Sequence, residues 1–326
     1  MKMFKAYNKL KYKKGIIVFN DSAGAKACLA LAKKLKKKDL LIISDRKYSF
    51  YSEFKLEINS ITERCVKEWF DFFKPDFVFT GTSMPEKIEL EFLKVAKSKK
   101  IKTYSFVDHW TNISARFKSF EEYILPDELW LIDEYAKEKA KKEGIDEYII
   151  SVTGNPYYDF LKNWTPDISK DIFFNKIGLT KNEKYILYAP APISSFKLKS
   201  KYGQDELDGL KFILKNLKTH LINNNSKIIF KIHPNQDINY IEKFILKLNT
   251  VEKSLIIIDK SNFINDLIYY SEMTLGFISN SLIEARLMKK KVGRLLLGNL
   301  IDDPIKHLEF DNLIKNPLQL INFYND

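Results

Sequence analysis

The chain has 326 residues, of which 45% are hydrophobic and 14% aromatic, a composition that excludes a disordered or low-complexity protein. Lys and Arg (54) outnumber Asp and Glu (42), which gives a net charge of +12. Lysine clusters near the ends of predicted helices complement the helix dipoles, and attraction to an anionic partner is the alternative explanation. Two Cys and four His are too few for a zinc site of the usual kind. We expect neither a metal nor a cofactor.

In the first half of the chain, short apolar runs alternate with amphipathic segments. The pattern predicts strands and helices at 15–19 (strand), 23–38 (helix), 40–44 (strand), 62–73 (helix), 77–80 (strand), 86–96 (helix), 102–107, 128–132 and 148–152 (strands). Cys28 and Cys65 lie in stretches with a helical pattern, which predicts two inert core thiols.

The alternation stops at 163–184, where Trp164-Thr-Pro166 and a polar stretch predict a linker between domains. It then resumes with strands and helices at 185–189 (strand), 207–221 (helix), 227–232 (strand), 238–248 (helix), 255–258, 273–278 and 292–297 (strands).

Strands separated by helices indicate parallel sheets with right-handed crossovers. The predicted fold is therefore α/β, with two doubly wound Rossmann-like domains, 1–163 and 164–326, that face across a cleft. For the last helix, packing back on the N-terminal domain is an alternative to packing within its own domain. Ligands of such sheets bind beyond the carboxyl ends of the strands, so the residues after each strand are the candidates for a site.

Two strand exits of the first domain carry polar residues. The turn Asn20-Asp-Ser-Ala-Gly24 opens a helix, and its Asp21, Ser22 and Gly24 can line a ligand site, with an ordinary helix cap as the alternative. Asp108 and His109 follow the strand 102–107, and either side chain can take a proton from a hydroxyl group. A polar loop is the alternative for this pair, and Asp21 remains a third candidate base.

The exit of the strand 148–152 reads Thr153-Gly-Asn-Pro156, in which Gly154 and Asn155 are candidate nucleotide contacts. A plain turn before a helix is the alternative. In the second domain, the strand 227–232 leads to His233 and to Pro234, a candidate nucleotide contact, with Lys231 two residues before the imidazole. A purely structural histidine is the alternative. His233 is predicted to protonate or hydrogen-bond a departing phosphate, and Lys231 to offset its charge.

The last predicted exit is Ser279-Asn-Ser281, followed by a helix that contains Glu284. Ser279 or Asn280 can cap this helix, and the free N–H groups and hydroxyls of its first turn suit a phosphate. Glu284 is placed to accept sugar hydroxyl groups. The structural alternative is a capping box between Ser281 and Glu284.

Taken in order, these exits resemble the GT-B superfamily, the two-Rossmann architecture of nucleotide-sugar glycosyltransferases and UDP-N-acetylglucosamine 2-epimerase. The segment from Leu129-Trp-Leu-Ile-Asp133 through Glu143-Gly-Ile145 to Val152-Thr-Gly-Asn-Pro156 resembles the epimerase pattern near its domain boundary. His233-Pro234 and Ser279-Asn-Ser281 resemble the His-Pro and Ser-Ser motifs of bacterial sialyltransferases, in which His faces the cytidine monophosphate and the serines hold its phosphate. The segment 279–291 is also similar to the nucleotide-binding helix of capsule and teichoic-acid polymer transferases.

Two departures weigh against epimerisation. The epimerase stretch His-Val-Glu-Ala-Gly-Leu-Arg is replaced by Phe106-Val-Asp-His-Trp-Thr-Asn112, and its Asp-Ser-Gly-Gly by Ser279-Asn-Ser-Leu282. The acidic motif of sialyltransferases is not cleanly present either, which leaves the base among Asp108, His109 and Asp21.

The resemblance implies a metal-independent glycosyltransferase whose second domain binds the nucleotide sugar and whose first domain receives a glycan or lipid-linked acceptor. The donor expected is a CMP-activated nonulosonic acid, slightly ahead of a UDP-sugar. The alternatives are a hydrolysing epimerase and a non-catalytic scaffold that binds nucleotide sugars. No apolar run nears the roughly 18–20 residues of a membrane span and no signal peptide is evident, so we expect a cytoplasmic protein, with peripheral attraction to the inner membrane and no nucleic-acid partner.

Overall fold

The chain divides into two compact units, residues Met1–Phe160 (unit 1) and Leu161–Asp326 (unit 2). The sequence predicts the boundary between Asn163 and Trp164, a few residues later. The computed structural model describes residues 2–35, 37–84, 88–119, 122–261, 263–298, 300 and 303–326. Positions 36, 86 and 87, which belong to two predicted helices, lie outside this part of the chain.

Unit 1 alternates strands and helices as its sequence pattern indicates. In chain order its elements are α1 (Lys2–Leu10), β1 (Gly15–Val18), α2 (Ser22–Lys34), β2 (Leu40–Ser44), α3 (Tyr51–Phe54), β3 (Asn59–Ser60), α4 (Val66–Phe73), β4 (Phe77–Thr80), α5 (Ile88–Ser98), β5 (Lys102–Val107), β6 (Glu128–Leu131), α6 (Glu134–Lys142), β7 (Ile150–Val152) and α7 (Pro156–Leu161). The described strands form one parallel sheet in the order β3-β2-β1-β4-β5-β6-β7.

Unit 2 repeats this design. Its elements are α8 (Lys170–Lys176), β8 (Lys184–Tyr188), α9 (Lys199–Tyr202), α10 (Glu206–Asn223), β9 (Ser226–Lys231), α11 (Ile238–Ile245), α12 (Thr250–Ser254), β10 (Ile256–Asp259), α13 (Ile264–Tyr270), β11 (Met273–Gly276), α14 (Asn280–Leu287), β12 (Lys291–Leu295), β13 (Leu313–Ile314) and α15 (Pro317–Asn325). The described strands are parallel and lie in the order β10-β9-β8-β11-β12-β13.

The core of unit 2 explains why α10 forms and stays in place. The helix begins at Asp205, whose Oδ1 accepts the N–H groups of Leu207 and Asp208. Leucines spaced three and four residues apart then lie on one face, and all of them are buried against the sheet: Leu207, Leu210, Leu214, Leu217 and Leu221. The last helix, α15, packs on α10 and β13 within this unit, with Leu320 and Phe323 in the same core.

Two expectations about local structure need correction. The stretch 163–184 is not only a linker, because it contains α8, whose Phe173 and Phe174 are buried. Two adjacent aromatic residues in a short polar segment gave too little periodicity to reveal that helix. Cys28 is buried as expected, but Cys65 is exposed at the start of α4, where its N–H donates to Glu68.

Candidate active site

In unit 2, the order of the strands reverses between β8 and β11, which is where doubly wound sheets bind ligands. β8 pairs with β9 on one side and with β11 on the other, so the exits of β9 and β11 are separated by one strand, about 10 Å. At the reversal the backbones touch: a Cβ on Gly276 would lie 2.8 Å from the carbonyl oxygen of Ala189. Glycine is therefore needed at the end of β11.

His233 lies two residues beyond β9 and is half-buried. Its Nδ1 accepts the backbone N–H of Asn235 at 3.1 Å, so the proton of the neutral ring is on Nε2. Burial, with a smaller contribution from the ammonium group of Lys231, lowers the pKa of His233. The imidazole is consequently a neutral Nε2–H donor near pH 7, suited to hydrogen-bond a phosphate rather than to protonate one in the absence of ligand.

Lys231 is committed to partners within the chain, contrary to its expected role at a phosphate. Its Nζ lies 3.2 Å from Asp259 Oδ2 and donates to the carbonyl oxygens of Ile232 and Ser261. These three acceptors match the three protons of an ammonium group, which leaves none for a ligand. Burial lowers the pKa of Lys231, and the carboxylate of Asp259 opposes that shift. Lys231 therefore joins the ends of β9 and β10 and acts on His233 through its charge.

Ser279 is the N-cap of α14, since its Oγ accepts the N–H of Ser281 at 3.2 Å. This cap differs from the alternative of a capping box between Ser281 and Glu284, which would begin the helix two residues later. Asn280 is exposed and Ser281 is half-buried, whereas Glu284 is buried on the inner face of α14. The first turn of the helix presents N–H groups without intrahelical acceptors, together with the positive end of the helix dipole.

The segment that follows β8 is hydrogen-bonded to the segment that follows β9. Ser195 Oγ accepts the N–H of Asp237 at 2.9 Å, and Gln236 Oε1 accepts the N–H of His233 at 3.2 Å. Gln236 is buried, and among the described residues its Nε2 has no hydrogen-bond partner. Pro234, a predicted nucleotide contact, is exposed at the tip of this loop. Sequence reasoning missed Gln236, because a Gln three residues after a His carries no recognised motif.

The exits of β1 and β4 in unit 1 are joined by a buried acid that the sequence analysis also missed. Glu89, 3% exposed, accepts the N–H of Asn20 at 3.0 Å and the hydroxyl of Ser83 at 2.6 Å. Burial raises the pKa of Glu89 to about 7, against the lowering effect of these hydrogen bonds. The signal was present, since Glu89 lies among apolar residues on the buried face of α5.

The predicted acceptor-side residues lie at the same edge. Asp21 precedes α2, and its Oδ2 accepts the N–H of Met84 at 3.3 Å. Ser22 is exposed at the first position of that helix. Gly24 is buried, and a Cβ there would lie 3.4 Å from the backbone nitrogen of Thr82, so its small size serves close packing of α2 on the β4 exit.

Asp108 and His109 follow β5, as predicted, and Arg116 lies beside them. Arg116, in a 3₁₀ turn at Ser114–Phe117, has its NH1 3.5 Å from Asp108 Oδ1. His109 Nδ1 forms a hydrogen bond of 2.9 Å with Thr111 Oγ1. Burial lowers the pKa of His109, the carboxylate of Asp108 opposes that shift, and the guanidinium group of Arg116 adds to it. Unit 1 thus brings a neutral imidazole and an ion-paired carboxylate to one strand exit.

Gly154 and Asn155 form a turn at the exit of β7. Gly154 has a φ of +83°, which favours glycine, and its N–H donates to Leu131 O. Asn155 is buried, and its Oδ1 accepts the N–H of Tyr157 at the start of α7. The turn accounts for both residues, and nucleotide contact at this position stays a prediction.

Among the described residues, no group of three or more His, Cys, Asp or Glu side chains is arranged to hold a metal ion. Within the same part of the chain, no helix is both long and apolar enough to cross a membrane.

Comparison with known proteins gives one family match and a consistent set of structural relatives. Residues 131–274 match the family described as CDP-glycerol:poly(glycerophosphate) glycerophosphotransferase. A comparison with curated proteins found no match.

Among solved structures, UDP-GlcNAc 2-epimerase from Methanocaldococcus jannaschii is 19% identical, with a TM-score of 0.59 over 96% of this chain and 92% of that one. The UDP-GlcNAc 2-epimerase from Neisseria meningitidis bound to UDP-GlcNAc is 14% identical, with a TM-score of 0.64 over 96% and 90%. Anabaena HepE in complex with UDP-glucose is 12% identical, with a TM-score of 0.60 over 95% and 88%.

These likenesses confirm the predicted fold class, since the solved structures superpose on this chain along nearly its whole length. At such identities they show the fold alone. The family match adds a transferase resemblance that runs from the end of β6 into β11 and includes His233 but not Ser279. The chain accordingly has an α/β fold with two Rossmann-like domains, similar to the fold of these solved structures.

Proposed function

We propose that the protein is a metal-independent transferase that moves a group from a nucleotide-activated donor to a glycan or lipid-linked acceptor of the cell surface. Unit 2 binds the donor nucleotide, and unit 1 supplies the base that takes the proton of the acceptor hydroxyl. The acceptor oxygen forms the new bond while the bond to the nucleotide phosphate breaks, and the phosphate oxygen leaves with the electron pair.

One observation carries the proposal: His233 and the capped start of α14 lie at the exits of two strands that flank β8. The Nε2–H of His233 and the first-turn N–H groups of α14 are all donors, and none is an acidic group that would repel a phosphate. Gln236, whose Nε2 lacks a partner among the described residues, lies beside His233 and can add a further donor. Donors of this kind stabilise the charge that develops on a departing phosphate.

Two independent observations, the sequence motifs and the family match, favour CMP as the leaving group. The His-Pro and Ser-Asn-Ser motifs resemble those of enzymes that use CMP-activated nonulosonic acids. The matched family is described as using CDP-glycerol, and transfer of glycerophosphate from that molecule also releases CMP. The proposal is therefore a cytidine-nucleotide donor, with a nonulosonic acid as the group favoured by the motifs.

The positive net charge supports an anionic acceptor environment. The chain carries +12, and this charge raises the local concentration of phosphate-rich or carboxylate-rich glycans and favours contact with an anionic membrane surface. Such contact with the inner membrane is part of the proposal.

The test is a product assay with the full chain. A CMP-activated nonulosonic acid, CDP-glycerol and UDP-GlcNAc are each incubated with a mixed glycan acceptor, and the released nucleotide is identified by chromatography. The proposal expects CMP from one of the two cytidine donors, and only when acceptor is present. Release of UDP and of free epimerised sugar from UDP-GlcNAc without acceptor would instead identify a hydrolysing epimerase.

A non-catalytic scaffold gives a third, distinct result. It would bind CMP, seen as an increase in melting temperature with ligand concentration, but release no nucleotide from any donor over hours. Either of these two results overturns the proposed transferase.

A further inference from the structure

Arg116 connects the exits of two neighbouring strands in unit 1. Its NH1 donates to the carbonyl oxygen and to the Oγ1 of Thr82, both at 3.2 Å, at the exit of β4. The same nitrogen lies 3.5 Å from Asp108 Oδ1 at the exit of β5. β4 and β5 are paired in the sheet, so one guanidinium group fixes both exits.

The Asp108–Arg116 pair is largely removed from solvent but incompletely satisfied. The side chain of Asp108 is 9% exposed and that of Arg116 is 13% exposed. Within the described residues, Asp108 Oδ1 and Arg116 Nε have no hydrogen-bond partner. Buried polar atoms without partners cost free energy, and a fold keeps them where they serve a site. The charge of Arg116 attracts the carboxylate of Asp108 across this distance.

His109, next to this ion pair, is the side chain that remains available to accept a proton. In the tautomer whose Nδ1–H donates to Thr111 Oγ1, its Nε2 carries a lone pair. Among the described residues, the charged groups that act on its ring are Asp108 and Arg116, of opposite sign, and the ring of Trp110 packs beside it. Burial together with Arg116 keeps the imidazole unprotonated near neutral pH, as a base requires.

We propose that Arg116 is a positioning residue of the reaction proposed above: it retains Asp108 as its ion partner and leaves His109 to take the proton of the acceptor hydroxyl. The proton moves from the acceptor oxygen to Nε2 of His109, and that oxygen bonds to the transferred group as CMP departs. Among Asp21, Asp108 and His109, this inference selects His109. It rests on the proposed function.

The experiment compares Arg116→Met with Arg116→Lys in the pH dependence of CMP release by the full chain. Removing the guanidinium charge removes a field that disfavours the imidazolium ion, so the acid limb of the profile moves upward by about one pH unit in Arg116→Met. Arg116→Lys keeps the charge and shifts the limb by only a few tenths. His109→Ala abolishes the limb.

A limb that stays in place in Arg116→Met while turnover falls would reduce Arg116 to a structural role and overturn the inference. A limb that survives in His109→Ala but disappears in Asp108→Asn would identify Asp108 as the base and overturn it as well.

A second measurement does not need turnover. Nitrogen-15 NMR of histidine-labelled protein gives the titration of His109 in the wild-type chain and in Arg116→Lys and Arg116→Met. The inference expects an upward shift of the His109 midpoint only in Arg116→Met, and equal midpoints in all three proteins would contradict it. The proposed function fails separately, if the wild-type protein releases no CMP from any donor.

Discussion

The two units share a parallel, doubly wound sheet, yet the carboxyl edges of their sheets carry opposite chemistry. At the edge of unit 2, His233 and the start of α14 present hydrogen-bond donors, and Asp259 is neutralised by Lys231. At the edge of unit 1, Asp21, Glu89 and Asp108 are acids, and the guanidinium cation of Arg116 pairs with Asp108. The same topology thus offers hydrogen-bond donors for an anion in one unit, and acids beside an unprotonated imidazole in the other.

In such sheets the order of the strands determines where a ligand binds. The chemistry of the site depends on which loop side chains are buried and already bonded within the chain. Lys231 is an example. Its position at the end of a strand, near a histidine, predicts a role in phosphate binding. Its burial beside Asp259 and two carbonyl groups gives it a structural task instead.

The largest expected effect concerns the donor edge of unit 2. His233→Gln removes the imidazole at the leaving phosphate, and we expect the rate of CMP release at saturating donor to fall about 10²–10³-fold, roughly 3–4 kcal/mol of barrier. The matched control is His220→Gln, in α10, which should change the rate less than about twofold. Equal rates for wild type and His233→Gln would remove the imidazole from the reaction.

The second effect concerns the acidic edge of unit 1. Below its usual pKa of 4.5, Glu89 is protonated in both the folded and the unfolded protein. Between pH 4.5 and about 7, Glu89 is protonated in the folded protein but ionised in the unfolded one. The contribution of Glu89 to the free energy of unfolding is therefore lost as the pH rises through this range. Glu89→Gln should match the wild type near pH 4 and exceed its free energy of unfolding by on the order of 3 kcal/mol near pH 8. Urea unfolding across this range measures the difference.

The control for Glu89 lies on the same helix. Glu91 is exposed on α5, so Glu91→Gln should leave the pH dependence of unfolding as in the wild type. A difference between Glu89→Gln and wild type that is the same at both ends of the pH range would mean that Glu89 is not buried as an uncharged acid.

The smallest effect concerns the cap of α14. Ser279→Ala should weaken CMP binding about fivefold and lower the free energy of unfolding by about 1 kcal/mol, because one hydroxyl serves both the helix and the phosphate. Asn249→Ala removes a similar cap from α12, where Asn249 accepts the N–H of Glu252. That variant should lose comparable stability with unchanged CMP affinity, and a parallel loss of affinity would make the Ser279 effect nonspecific.

Much of the fold was predictable because its strands are continuous apolar runs. Ile16, Ile17 and Val18 are fully buried on both faces of the sheet, as the uninterrupted run in β1 indicates. The candidate residues at strand exits followed from the same pattern. The helix α8 did not, because its seven residues contain only three apolar side chains in sequence, Ile172-Phe-Phe174.

The partners of the site residues were less accessible to sequence reasoning. Arg116 reaches Asp108 from a 3₁₀ turn eight positions later (116 − 108), and no periodicity specifies that approach. The protonation states of His109 and His233 depend on burial and on neighbouring charges, which only the packed chain reveals. Glu89 was the exception, since an acid amid Ile88, Leu90 and Phe92 already indicates burial.

The phosphate site of unit 2 can be tested by titrating nitrogen-15 histidine-labelled protein with CMP. The chain has four histidines, so each gives an assignable pair of ring signals. We expect the Nε2 signal of His233 to shift with CMP and to shift far less with cytidine, which lacks the phosphate. The signals of His220 should stay in place. Binding of CMP that leaves His233 unmoved, or equal shifts with cytidine, would contradict a phosphate site at the exits of β9 and β11.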